Sequence, residues 1–145
     1  SKARLRMMTL YQIAASTTGI VVGTGNKVED FGVGFYTKYG DGGVDLSPIA
    51  DCNKSQVWAM GKELGILEEI QMAEPTDGLW SDGRTDTDQL GMSYKEIEHL
   101  MTRPDEPGYE KYLAIRKKNL HKMKPIPVCK FDGKDTLDTD QEKTQ

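Results

Sequence analysis

The run Thr37-Lys38-Tyr39-Gly40-Asp41-Gly42-Gly43-Val44-Asp45 packs one lysine, two aspartates and three glycines into a single short stretch. It follows closely on Gly23-Thr24-Gly25-Asn26-Lys27-Val28-Glu29-Asp30. Glycine weakens helix and strand interiors, and unpaired charge resists burial. Both runs therefore read as loops that bring backbone amides and fixed charges to a polar ligand. Turn chemistry alone also accounts for Asp41-Gly42-Gly43. Gly23-x-Gly25 lacks the third glycine of a dinucleotide fingerprint, so that motif is set aside.

Other residues carry weaker chemical signals. Lys54 falls in the first turn of a predicted helix, where a cation opposes the macrodipole at a cost of about 0.3–1 kcal/mol. An anion bound at that N-terminus would remove the conflict, and a solvated lysine is the bland alternative. Thr24 and Glu29 follow a predicted strand, and ligands of open α/β sheets bind beyond strand carboxyl ends. A carboxylate there suits Mg²⁺ beside phosphate, or is an ordinary loop acid. His121-Lys122 sits in a basic patch that fits either a phosphate contact or a solvated helix end. His99 reads as a surface or rim residue. Trp58 reads as core, and Trp80 either packs down a long loop or touches a ligand. No Ser/His/Asp or Cys/His arrangement offers a nucleophile.

The elements that position these residues follow from periodicity. Residues 2–18 read as a helix, with Ala3, Met7, Leu10 and Ala14 at steps of three and four. Its neighbouring faces carry Leu5, Met8, Tyr11 and Ala15, so burial is expected all round except at Arg4 and Arg6. Gly19 ends it, and Gly19-Ile20-Val21-Val22-Gly23-Thr24 reads as a buried strand of the parallel kind. Helix, glycine, apolar strand and glycine-rich exit together predict an α/β sheet. Residues 25–50 read as loop. Asp51-Cys52-Asn53 offers a cap for a helix over 54–64, and residues 73–92 read as a long polar loop. Ser93 and Glu96 have capping-box spacing for a helix carrying Ile97, Leu100 and Met101. A last helix spans about Tyr109 to His121.

Bulk composition sets the limits. The 145 residues suit one domain, and 37% apolar with 29% charged residues is polar for a compact one. A net charge of −4 argues against nonspecific nucleic-acid or membrane binding. No apolar run approaches the roughly 18 residues of a membrane span. Cys52 and Cys129 have neither metal nor disulfide-framework spacing, so a reducing, cytoplasmic compartment is expected. Residues 131–145 read as a polar, acidic, disordered tail.

Lys2-Ala3-Arg4, Gly23-Thr24, the Thr37-to-Asp45 run and Pro75-Thr76 together closely resemble NAD synthetase, over residues 1 to about 130. The resemblance implies an adenine-nucleotide α-hydrolase-like (ATP pyrophosphatase) fold, a parallel sheet with flanking helices, present as its C-terminal portion. It implies ATP-dependent adenylation of the deamido-NAD carboxylate, with release of pyrophosphate. Displacement of AMP then follows, by ammonia or by nitrogen from glutamine through a separate glutaminase domain. Carried across by position, Thr24, Lys54 and Thr76 would contact ATP, and Arg4, Lys38, Asp45, His121 and Lys122 would contact deamido-NAD. Glu29 would ligate Mg²⁺, with Asp30 as the alternative because the spacing to Thr37 differs by one residue. The resemblance also implies a homodimer. The family's Ser-Gly-Gly-x-Asp-Ser loop has no counterpart here, so the chain is expected to be inactive alone. Two other readings stand beside this one: a non-catalytic dimerisation or nucleotide-contact fragment, and a sister ATP pyrophosphatase such as GMP synthetase.

Overall fold

The computed structural model describes residues 2–129, so the tail expected over 131–145 lies outside the described residues. Regular structure consists of α1 (Lys2–Thr17), a π-type turn (Val28–Val33), α2 (Lys54–Glu63), α3 (Glu68–Gln71), α4 (Asp86–Leu90), α5 (Tyr94–Leu100) and α6 (Tyr109–Met123).

The core gathers where α5, α6 and the π-turn meet. Ile97 is fully buried there with Val28 and Val33, and Leu90, Met92, Tyr94, Leu100 and Tyr112 close around them. Each such side chain contributes about 1.5–3 kcal/mol of transfer free energy. Ser93 starts α5 as its spacing predicts: its hydroxyl accepts from the Glu96 amide at 3.3 Å. The Glu96 carboxylate in turn accepts from the Ser93 amide at 2.7 Å.

The π-turn lies inside the segment that reads as loop. Asn26, almost wholly buried, caps it by accepting from the amides of Val28 and Glu29 at 2.9 and 3.1 Å. Gly34 ends it in the left-handed region, φ 64°, and any Cβ there would meet the Asn119 Cβ at 2.8 Å. Only glycine meets both demands. Asn119 then donates to the Val33 carbonyl at 2.9 Å, seating α6 on the turn.

Three expectations need correction. The parallel sheet is reduced, among the described residues, to one bridge between Val22 and Leu46. The Gly23 amide donates to Leu46 and the Asp45 amide to Val21, at 2.7 and 2.9 Å. Val22 and Leu46 themselves are half exposed, because no further strand among the described residues flanks them. Helix α1 buries only Ala3 and Ala14, while Leu5, Met8, Leu10 and Ile13 are each more than half exposed. Its apolar periodicity is real, but only one narrow stripe meets another part of the chain. Trp58 is half-buried rather than core, with the Lys95 ammonium 6.0 Å from its ring.

Candidate functional site

A cavity of about 620 Å³ opens between α1, the Val21–Thr24 segment, the Phe35–Val44 loop and the long loop before α4. Among the expected site residues, Thr24, Glu29, Thr76 and Lys122 line it. Asp45 and Lys54 are hydrogen-bonded to the lining residues Val21 and Glu29, while Arg4, Lys38 and His121 are linked to one another outside the lining.

Two of these ties make one cationic corner. Lys122, on the last turn of α6, donates from its ammonium to the carbonyls of Gly34 and Tyr36 at 2.9 and 2.7 Å. Burial lowers its pKa from the ordinary lysine value. The Tyr36 hydroxyl donates back to the Lys122 carbonyl at 2.6 Å. Lys38 reaches the His121 carbonyl at 3.3 Å, and Arg4 donates to the Lys38 carbonyl at 3.2 Å. Arg4, Lys38, His121 and Lys122 therefore assemble from three distant stretches of chain. Gly40 makes this possible, since a Cβ there would lie 2.9 Å from that of Ala3 on α1.

Asp45 and Asp41 are committed to the fold. The two Asp45 oxygens accept from the Tyr11 hydroxyl at 3.1 Å and the Val21 amide at 2.8 Å. Asp41 accepts from the amide of Thr37, four residues earlier, at 3.0 Å.

A second group of side chains is acidic. The Lys54 ammonium pairs with Glu29 at 2.8 Å, with both side chains more than four-fifths buried. The electrostatic conflict at the start of α2 is thus relieved by a carboxylate of the same chain. Glu29 also accepts from the Asn26 amide at 3.3 Å, and Lys54 lies 4.8 Å from the Tyr94 ring centre. Asp30, next in sequence, has its pKa pushed up to about 6, first by burial and then by the charges of Glu29 and Asp41. Thr76 is held by its own loop: its hydroxyl donates to the Arg84 carbonyl at 3.2 Å. Trp80 lines the cavity half exposed, with its indole N–H on Gln89 at 3.2 Å and the Arg84 guanidinium 4.3 Å from its ring.

Sequence reasoning missed two residues of the cavity lining, Asp86 and Tyr94. The Tyr94 hydroxyl donates to one Asp86 oxygen at 2.7 Å, and the other has no partner among the described residues. Burial, followed by the neighbouring Glu29 and Asp77 charges, raises the Asp86 pKa. Both residues follow cap signals, Thr85 and Ser93, which mark helix starts and say nothing of a cavity. Mg²⁺ takes one or two protein carboxylates and completes its shell with phosphate and water. Glu29 on the cavity wall fits that pattern as a single hard oxygen donor. The described residues contain no cluster of three or more metal-ligating side chains.

A family profile described as NAD synthase matches residues 1–131. The chain belongs to the NAD synthase family. It is 47% identical over 100 residues to an NH(3)-dependent NAD(+) synthetase from Carboxydothermus hydrogenoformans, covering 69% of this chain and 40% of that protein. The enzyme of the same name from Thermoplasma acidophilum is 41% identical over 128 residues, covering 83% and 52%. In structure the chain is similar to an NMN synthetase from Francisella tularensis, with a TM-score of 0.81 and 37% identity. That match covers 89% of this chain and 54% of the other. An NH3-dependent NAD synthetase from Campylobacter jejuni gives a TM-score of 0.62 at 27% identity, covering 88% and 52%. This NAD synthase chain thus spans about half the length of the curated relatives it matches. No described helix is long and apolar enough to cross a membrane.

Proposed function

We propose that this chain supplies one wall of an active site that amidates deamido-NAD to NAD. ATP activates the nicotinate carboxylate as an acyl-adenylate, pyrophosphate leaves, and ammonia then displaces AMP. The observation that carries the reading is the shared cavity, whose lining includes Thr24, Glu29, Thr76 and Lys122. Family membership supports it, and the relatives named NH(3)-dependent support ammonia rather than glutamine as the nitrogen source.

The division of labour follows from charge. Lys54 and Glu29 hold each other as an ion pair. An ATP polyphosphate is a better partner for Lys54, because it brings several charges against one. Thr24 and Thr76 offer hydroxyls to the same nucleotide. Glu29 would hold Mg²⁺, which neutralises charge on the phosphates when bound. Arg4, Lys38, His121 and Lys122 form the corner suited to the pyrophosphate of the dinucleotide. Asp45 acts through the loop, fixing Val21 and α1 around that corner. No side-chain nucleophile is required, since positioning and charge stabilisation suffice for acyl activation. Residues 1–130 form the C-terminal part of a synthetase domain in this reading. The half-exposed apolar residues of α1 fit a larger assembly, such as the family's homodimer, in a cytoplasmic enzyme.

The likeness to an NMN synthetase favours a second reading, in which the shorter acid precursor of NMN is amidated. One assay separates the two. The protein spanning the full length of its relatives is given ATP, Mg²⁺ and ammonium with either acid, and products are followed by mass spectrometry. NAD formed with equal AMP and pyrophosphate supports the first reading. Turnover of the mononucleotide alone supports the second. Release of ADP, or no amide from either acid, overturns both.

A further inference from the structure

The loop from Pro75 to Asp86 is closed at its base. There the Asp86 amide donates to the Pro75 carbonyl at 2.9 Å, and the Thr76 hydroxyl to the Arg84 carbonyl at 3.2 Å. The Lys2 ammonium pins the loop to α1 by donating to the Leu79 carbonyl at 3.0 Å. Trp80 stands on this frame with its indole oriented by a chain of bonds. Its ring N–H donates to Gln89 at 3.2 Å, and Gln89 donates to Asp77 at 3.1 Å. Asp77 accepts in turn from the Leu79 amide at 2.9 Å. The Arg84 guanidinium covers one indole face, 4.3 Å from the ring centre, and is itself held by Asp82 at 3.0 Å. Trp80 nonetheless stays 53% exposed where it lines the cavity. An indole fixed at its N–H and backed on one face, yet half exposed, offers its remaining face to a ligand; one that only packed the loop down would bury it.

Two features say which ring that ligand carries. The indole face attracts cations more strongly than the ring of Tyr or Phe does. The cavity lining is also acidic, with Glu29, Asp41, Asp77 and Asp86 set against Arg6 and Lys122 among the described residues. Arg84 does not compete for the open face, since its charge is offset by Asp82. Of the rings in the proposed reaction, the two adenines are neutral. The pyridine ring of deamido-NAD, quaternised by its glycosidic bond, carries a positive charge. It also bears the carboxylate that must meet ATP, and Thr76, the hydroxyl assigned to ATP, belongs to the same loop as Trp80. We infer that Trp80 reads the charge of that ring: it stacks on the oxidised pyridinium and discriminates against the reduced, uncharged dihydropyridine. The inference rests on the amidation reading and adds to it a selection for the redox state of the acid.

The test uses the protein spanning the full length of its relatives, with Trp80→Leu and Trp80→Phe variants. Amide formation is measured with deamido-NAD and with its reduced form, deamido-NADH, each at saturating ATP and ammonium. The ratio of the two KM values is compared between parent and variants, so that differences in carboxylate reactivity cancel. The preference for the oxidised ring should fall about fivefold or more in Trp80→Leu, and less in Trp80→Phe, which keeps a weaker aromatic face. The KM for ATP should stay within about twofold, whereas a general structural defect would raise all three values together. An electron-rich indole stacked on a pyridinium absorbs by charge transfer. Deamido-NAD should therefore produce a difference absorbance in the parent that ATP does not produce and that Trp80→Leu lacks. If Trp80→Leu fails to fold, Trp80→Phe carries the test. An unchanged preference in the variants, or an absorbance that survives in Trp80→Leu, overturns the inference while leaving amidation intact. A charge-transfer absorbance that needs Trp80 in a protein that amidates neither acid overturns the amidation reading and keeps the stack.

Discussion

At the residue scale, two charged residues of the acidic group make separate predictions. The Asp30 carboxyl has its pKa pushed from 3.8 up to about 6 by burial, Glu29 and Asp41. The folded state therefore holds the Asp30 proton more tightly than the unfolded chain does. Its stabilising contribution is complete below the unfolded value and is lost as pH rises through the folded one. Asp30→Asn should accordingly raise the melting temperature at about pH 7.5 and change it little near pH 4. Equal shifts at both pH values in thermal melts would refute this. Lys54 belongs to the other group. Lys54→Met strands the Glu29 carboxylate in a mostly buried site and should cost about 1–3 kcal/mol in urea unfolding. Glu29→Gln on top of it should recover part of that loss, because the pair rather than either charge is what the fold holds. The sequence marks Lys54 as anomalous through the helix dipole, yet its partner lies 25 residues away and no local pattern names it.

At the element scale, α1, α2, α5 and α6 were the legible part, whereas α3 was not read and α4 lies within residues 73–92, which read as loop. The period of α1, the Ser93 box of α5 and the length of α6 are all readable because each depends on neighbours in sequence. The π-turn went unread, although Asn26 and Glu29 have the same spacing as a capping box. Charge and glycine around it outweighed that signal. Asn26→Ala should therefore destabilise the chain by about 1–2 kcal/mol, measured by urea unfolding, through loss of the cap. Gly34→Ala combines a positive φ with a 2.8 Å approach to Asn119 and should cost about 1–3 kcal/mol. If Gly34→Ala unfolds at the parental urea concentration, the packing of α6 on the turn is looser than described. The strand over 19–24 failed for a different reason. A strand is completed by partners, and the described residues offer Val22 only Leu46.

At the scale of the whole molecule, the exposed apolar residues of α1 and the single bridge belong to a chain spanning about half the length of its relatives. In the proposed reading, the part of those relatives that this chain does not span supplies partners for Val22 and for the apolar face of α1. Binding of an apolar dye to this chain should fall when that remaining half is co-expressed with it, and an unchanged signal would argue against such cover. The residues named by the family motif include Thr24, Glu29, Thr76 and Lys122, all of which line the cavity. Asp86 and Tyr94 were invisible because only folding brings them to the cavity. In the proposed reading one cavity receives ATP beside Glu29, Lys54 and Thr76 and the dinucleotide beside Lys38 and Lys122. The measurement that tests it most directly is the KM for each substrate in Thr76→Val and Lys38→Met, made in the protein spanning the full length of its relatives. Thr76→Val should raise the KM for ATP alone, and Lys38→Met that for deamido-NAD alone, each about tenfold. If each variant shifts the other substrate, or neither shifts any, these residues do not hold the ligands assigned to them.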